Sequence, residues 1–288
     1  MKVYKVGGSC LRDGTSLDPL LNILERNGRK ILVFSAFSGI TDALYRIAEL
    51  QRNERASEFM DLVNWHVSII SECGEDAGDR YMDVLSKNAG CRNADELISS
   101  IRDFSIEKLV SLGELMSAAT FYIYAIRRGF PAAFIPSHIL GVRVQVNENE
   151  RKIIPHISSE LIRNSLDSVY PECIITTGFF GLDQEGNFAV LGRNSSDYSA
   201  AAIACLSGAR EVIFLKDVEG IYSGDPKMSS FFTLMRQVSY QDALKISKAG
   251  SRILHPSAIE ICMNYSMPMK IMKVGGVEHG TLIHGESD

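Results

Sequence analysis

Leu191-Gly192-Arg193-Asn194-Ser195-Ser196-Asp197-Tyr198 runs directly into Ser199-Ala200-Ala201-Ala202-Ile203-Ala204. The second half is small and apolar and predicts a closely packed helix. The first half is a polar loop that enters it, and Ser195, Ser196 and Asp197 are all good N-cap or first-turn residues. A helix start presents backbone N–H groups and a positive dipole end, which suit an anion. Arg193 adds a fork for a carboxylate or phosphate, and Asp197 a carboxylate for an ammonium group or a metal. The stretch alone fits either a site for a small charged molecule or a capped helix with a surface arginine.

Working outward, Phe179 to Leu182 and Phe188 to Leu191 flank a turn at Asp183-Gln184-Glu185-Gly186-Asn187 and predict a hairpin that delivers this loop. Strands are expected at Val3–Val6, Lys30–Ser35, Pro131–Ile135, Cys173–Gly178, Glu211–Leu215 and Pro268–Met272, with Lys30–Ser35 and Cys173–Gly178 of the buried kind. Helices are expected at Ser16–Asn27, from Thr41 onward, in a run from Glu54 to Ser105, and at Ile106–Arg128, Ile157–Ser168 and Tyr240–Ala249, with a last one ending at Tyr265. Arg143 to Pro155 predicts a polar flap or interface hairpin. Strands alternating with helices give an α/β fold with a mostly parallel sheet and right-handed crossovers.

Two strands end in small polar loops that open onto helices, Gly7-Gly8-Ser9-Cys10 and Ser35-Ala36-Phe37-Ser38-Gly39-Ile40-Thr41-Asp42. Ligands of open α/β sheets bind at such carboxyl ends. Lys5 stands beside the two glycines, yet neither a Walker A order nor G-x-G-x-x-G is present. Ser111-Leu112-Gly113-Glu114 puts a carboxylate among apolar and small residues of a long helix. Lys216 to Lys227 is dense in turn residues, with two lysines and Tyr222.

At −5, the net charge offers no nucleic-acid groove or polybasic membrane patch. No apolar run is expected to span a membrane, and no signal-peptide h-region follows Met1. The six cysteines are scattered without framework or C-x-x-C spacing, as expected of free thiols in a reducing cytoplasm. The histidines have no metal-ligand spacing.

Together these stretches resemble, in order, the catalytic domain of aspartate kinases within the amino-acid kinase family. Lys5 to Cys10 is similar to the family's K-F-G-G-T-S, and Ser35 to Thr41 to S-A-x-x-G-x-T. Ser111 to Glu114 matches S-x-G-E, and Gly192 to Asp197 resembles G-R-G-G-S-D. Lys216 to Lys227 is similar to the nucleotide loop T-D-V-x-G-[IV]-Y-x-x-D-P-[RK], and Ser251 to Pro256 to G-A-K-V-L-H-P.

The resemblance implies one catalytic domain over 1–288, a three-layer sandwich with an amino-acid lobe at about 1–200 and a nucleotide lobe at about 201–288. It implies ATP-dependent phosphorylation of the β-carboxylate of L-aspartate, or of another small acid on the same fold. A non-catalytic ligand-binding relative is the remaining reading. Lys5, Gly7, Gly8 and Ser9 would cradle the transferring phosphoryl group. Ser35, Thr41, Glu114, Arg193 and Ser196 would hold the amino acid, with Arg193 on its α-carboxylate and Glu114 facing its ammonium. Asp197 would organise the amine, the lysine or the metal. Lys216, Asp217, Tyr222, Lys227 and Arg252 would bind nucleotide, with Mg²⁺ carried mainly by ATP and not by protein ligands. A cytoplasmic homodimer is implied too. Regulatory ACT domains usually follow in this family, and the chain stops where they would begin, so feedback inhibition within it is not expected.

Four positions depart from the pattern. Asn194-Ser195 replaces Gly-Gly, Ser9-Cys10 replaces Thr-Ser, Lys216 replaces Thr, and Arg252 replaces Lys. They bear on which amino acid is bound more than on phosphoryl chemistry.

Overall fold

The structure is a computed structural model of the 288-residue chain and describes all residues except 149, 225–232, 251–252, 277–279 and 286–288. The strands are β1 (Lys2–Val6), β2 (Lys30–Phe34), β3 (Ala133–Phe134), β4 (Val144–Asn147), β5 (Glu150–Ile153), β6 (Cys173–Thr177), β7 (Phe180–Leu182), β8 (Phe188–Val190), β9 (Val212–Lys216), β10 (Gln237–Ser239), β11 (Met269–Lys273) and β12 (Gly280–His284). The helices are α1 (Asp18–Leu24), α2 (Ile40–Glu49), α3 (Arg55–Ile69), α4 (Ala77–Asn88), α5 (Ala94–Ser100), α6 (Ile106–Arg127), α7 (Ser137–Leu140), α8 (Pro155–Asp167), α9 (Ser196–Ser207), α10 (Tyr240–Lys248) and α11 (Pro256–Asn264).

Eight strands form one sheet in the order β10-β12-β11-β9-β1-β2-β6-β3. Six run parallel; β12 lies antiparallel to β11, and β10 pairs parallel with β12. Every residue of β2 is buried, as a strand covered on both faces requires. Alternation divides the sheet's side chains between two cores. Tyr4, Val6, Leu32, Phe34 and Ile175 pack with α1 to α6. Val3, Ile31, Val33, Ile174 and Phe214 pack with α8 to α11. The result is a three-layer α/β sandwich with a mostly parallel central sheet, as expected.

The order of strands fixes where a ligand can enter. From β1 the chain builds outward through β2 and β6, then returns to the other side of β1 as β9 and continues to β11. The reversal falls between β1 and β9, and the carboxyl ends of these strands open there into a crevice.

Several elements differ from the expectation. Asp13 caps a 3₁₀ turn at Gly14–Ser16 through a reciprocal capping box, so α1 begins only at Asp18. The edge strand β3 has two residues and α7 four, too few to show a period. The expected hairpin is present as β4 on β5, but Pro155 already belongs to α8. The strands β10 and β12 add an edge that the sequence pattern did not reveal. Contrary to expectation, α6 is long and apolar enough to cross a membrane, but 89% of its apolar window is buried inside the fold. It is hydrophobic all round because helices and sheet surround it.

Phe121 of α6 is fully buried and its ring lies 4.9 Å from that of Phe34. Phe121→Ala should therefore lower stability by about 3–5 kcal/mol, read as a reduced urea midpoint. A change near zero would mean that the layer collapses around the missing ring.

Candidate active site

At the crevice lies a cleft of about 740 Å³. Lys5 and Lys216 stand near the carboxyl ends of the adjacent strands β1 and β9. Each shares the alternation that points Val3 and Phe214 toward the core shared with α9. Ala200, Ala201 and Ala202 let α9 lie close to the sheet, and Asp197 in its first turn meets both lysines. Lys5 Nζ is 2.8 Å from Asp197 Oδ1, and Lys216 Nζ donates to Oδ2 at 2.9 Å. All three side chains are at least 89% buried. Burial works to raise the Asp197 pKa, but the two ammonium groups outweigh it and hold the carboxyl well below its usual range. Burial pulls Lys216 below its ordinary value, opposed by Asp197.

Glycine is required where the two cleft loops meet. A Cβ on Gly8 would stand 2.9 Å from the Ala36 carbonyl oxygen, and one on Gly7 3.3 Å from that of Leu215. On the opposite wall, Gly113 lets α6 approach α2, where a Cβ would lie 3.0 Å from Leu44 Cδ1. That approach sets Glu114 into the cleft. Ser196 Oγ donates to Glu114 Oε1 at 2.6 Å, while Oε2 is buried with no hydrogen-bond partner among the described residues. Burial raises the Glu114 pKa to about 8, only partly offset by Ser196 and the charge of Lys5. Arg193 stands at the mouth, its guanidinium 5.1 Å from the Tyr45 ring centroid and 3.9 Å from Asp42.

The Asn194-Ser195 departure is absorbed by the backbone. Asn194 has φ of 62°, a left-handed conformation that asparagine tolerates better than most residues. Ser195 is buried, and its Oγ donates to the Gly192 carbonyl at 2.7 Å, away from the cleft.

The cleft brings together Lys5, Gly7, Gly8, Ser9, Ser35, Thr41, Glu114, Arg193, Ser196, Asp197 and Lys216. Asp217 and Tyr222 are not in its wall. Asp217 is half-exposed beside it and accepts from Ser9 Oγ at 3.4 Å, and Tyr222 donates to Glu219 at 3.3 Å. Lys227 and Arg252 lie outside the described residues. Sequence reasoning missed Phe37, Tyr45, Phe179 and His255, which also line the cleft. Phe37, an aromatic residue within an otherwise small polar loop, was the available signal. Phe179, at φ of 65° with its N–H held by Ser199 Oγ, gave none. Among the described residues no group of three or more His, Cys, Asp or Glu side chains is placed to hold a metal ion. Both oxygens of Asp197 already face lysines, so the residues present do not fit a protein-ligated cation at the cleft floor.

A mostly parallel α/β sheet whose switch-point crevice holds two buried lysines on one carboxylate is the arrangement of an α/β protein with a charged crevice at its carboxyl end. The sequence model of the amino acid kinase family matches residues 1–273, and the chain belongs to that family. It is 30% identical to the chloroplastic bifunctional aspartokinase/homoserine dehydrogenase 1 of Zea mays, over 94% of this chain and 31% of that protein. It is 27% identical to the aspartokinase of Geobacillus stearothermophilus, over 70% of this chain and 51% of that one. The chain thus spans about a third to a half of the length of these relatives. Its fold matches E. coli aspartokinase III, solved in complex with aspartate and ADP, with a TM-score of 0.83 at 23% identity, covering 100% of this chain and 65% of that one.

Glu114 gives the site a pH signature. Its pKa of about 8 in the folded chain exceeds the ordinary 4.5, so the folded state holds a proton that the unfolded chain releases. This stabilising contribution is complete below 4.5 and is lost as pH rises through about 8. Glu114→Gln, which mimics the protonated acid, should flatten the decline of the urea midpoint across that window. An unchanged slope would show that Glu114 is ionised in the empty cleft.

Proposed function

We propose that this chain is an aspartate kinase, transferring the γ-phosphoryl group of ATP to the β-carboxylate of L-aspartate to give 4-phospho-L-aspartate. The observation that carries the reading is the polarity of this cleft, with two lysines on Asp197 at one end and Glu114, Ser196 and Arg193 at the other. The aspartokinase relatives, and the aspartate and ADP held by the similarly folded enzyme, support it.

In this reading Arg193 grips the α-carboxylate at the mouth, and Ser35 and Thr41 line the amino-acid end. Glu114 faces the ammonium group. That cation supplies the partner Glu114 Oε2 lacks, so binding at neutral pH expels the carboxyl proton. The β-carboxylate is anionic at neutral pH and needs no general base. One of its oxygens attacks the γ-phosphorus as the bond to the β–γ bridging oxygen breaks, and ADP leaves with that electron pair. Catalysis then consists of positioning and of neutralising charge on the transferring group, by Lys5 and the loop Gly7-Gly8-Ser9. In this reading the amino-acid lobe spans about 1–200 and the nucleotide lobe about 201–288, with Lys216, Asp217, Tyr222, Lys227 and Arg252 assigned to the nucleotide. Mg²⁺, carried by ATP and not by protein ligands, would supply further neutralisation of the phosphate charge. A homodimer in the cytoplasm completes the proposal.

ATP-dependent hydroxamate formation with hydroxylamine, run across a panel of amino acids, tests it. Signal with aspartate is expected. Signal confined to another acid would move the substrate, and silence with ATP binding intact would remove the kinase reading. Lys5→Ala should lower kcat by roughly 10² to 10³-fold without unfolding the chain. Arg193→Ala should raise KM for aspartate about tenfold or more. Full turnover in both variants would show that the chemistry lies elsewhere.

A further inference from the structure

Asp197 is one carboxylate with two buried ammonium partners on separate oxygens. Its single negative charge balances one of them, so the floor of the cleft carries a surplus positive charge. Lys5 and Lys216 both line the cleft, so an anion entering the crevice approaches the pair. The strands fix the pair before any ligand arrives, because β1 and β9 are hydrogen-bonded neighbours and both stems lie on one face of the sheet. Lys216 faces one oxygen of Asp197 and Lys5 the other, so both carboxylate oxygens already face a cation. The resembled family has Thr at this position, a side chain that brings no charge, so the second ammonium group belongs to this chain's own sequence.

We propose that Lys216 and Lys5, clamped on Asp197, form a fixed pair of cations that binds the polyphosphate of a nucleotide without a divalent ion. Lys216 performs there the neutralisation that a metal bridging protein and phosphate would perform. The inference deepens the nucleotide half of the proposed function and rests on it. It is independent of which amino acid accepts the phosphoryl group.

The arrangement has a specific thermodynamic consequence. A phosphate oxygen that reaches Lys216 gains a charge-assisted hydrogen bond from a donor whose position is already set. A threonine hydroxyl offers only a neutral one and leaves Asp197 with a single ammonium partner. Loss of Lys216 should therefore weaken nucleotide most where no Mg²⁺ is present to screen the phosphates.

Calorimetric titration of ADP into the full chain, in EDTA and again with Mg²⁺, tests this in the wild type, Lys216→Thr and Lys216→Arg. In EDTA, Lys216→Thr should weaken ADP by about tenfold or more, the scale of one charge-assisted contact, and Lys216→Arg should stay within about threefold of the wild type. With Mg²⁺ the gap should narrow. Equal ADP affinity in the wild type and Lys216→Thr in EDTA overturns the proposal and leaves Lys216 as a structural partner of Asp197. Failure of the wild type to bind ADP in EDTA also overturns it. If Lys216→Thr does not fold, Lys216→Met keeps the apolar stem and carries the same expectation. Normal ADP binding with no hydroxamate from aspartate would remove the aspartate kinase reading while leaving the Lys216 result standing.

Discussion

The site depends on a buried ion triad, Lys5–Asp197–Lys216, and much of the fold serves to make that triad possible. Charges removed from water cost several kcal/mol each, so such groups persist only when geometry brings full partners to them. Here the partners come from three elements distant in sequence. Two parallel strands must be neighbours, both lysines must share one face, and a helix start must lie directly above them. The small residues of α9 meet the last condition, since a larger side chain at Ala200 or Ala201 would lift Asp197 off the strands. A triad that is net positive is left in want of an anion, and this gives the stored electrostatic cost a use in binding.

The opposite wall follows a different logic. Glu114 has one strong neutral partner, Ser196, and one oxygen without a partner among the described residues. The acid escapes the cost of a buried charge by keeping its proton, whereas Asp197 escapes it by pairing with cations. Two carboxyl groups in one cleft thus take opposite protonation states because one faces two lysines and the other chiefly a hydroxyl. Ser196 and Asp197 are consecutive in the chain and serve these two ends, so the first turn of α9 joins the halves of the site.

Much of this was legible in the sequence. The apolar runs at β1, β2, β6 and β9 mark a parallel sheet because a strand buried on both faces tolerates little else. The glycines at 7 and 8 and the polar start of α9 mark the loops that must approach closely. Other parts were not legible, for physical reasons. The edge strand β10 has only three residues and borrows its pairing from β12, so no local period identifies it. The all-round apolar surface of α6 is the signature of burial in protein as much as in lipid, and only the tertiary fold separates the two. The conjunction of Lys5, Lys216 and Asp197 depends on strand order, which no local pattern encodes. Asp217 illustrates the converse: it follows Lys216 directly, yet it lies past the end of β9 in an exposed loop, outside the cleft wall that its neighbour lines.

The departures at Asn194 and Ser195 raise the question whether the loop before α9 has been remodelled. The geometry argues against it. A loop that turns through a left-handed residue before a helix accepts glycine most readily and asparagine next, so Asn194 keeps the backbone path that Gly would take. Ser195 ties its hydroxyl to Gly192 and so stiffens the turn without entering the cleft. The path of the loop, and with it the positions of Arg193 and Ser196 on either side, is therefore preserved. What Asn194 adds is an amide at the mouth of the cleft, next to Arg193 and away from the Lys5–Asp197–Lys216 floor.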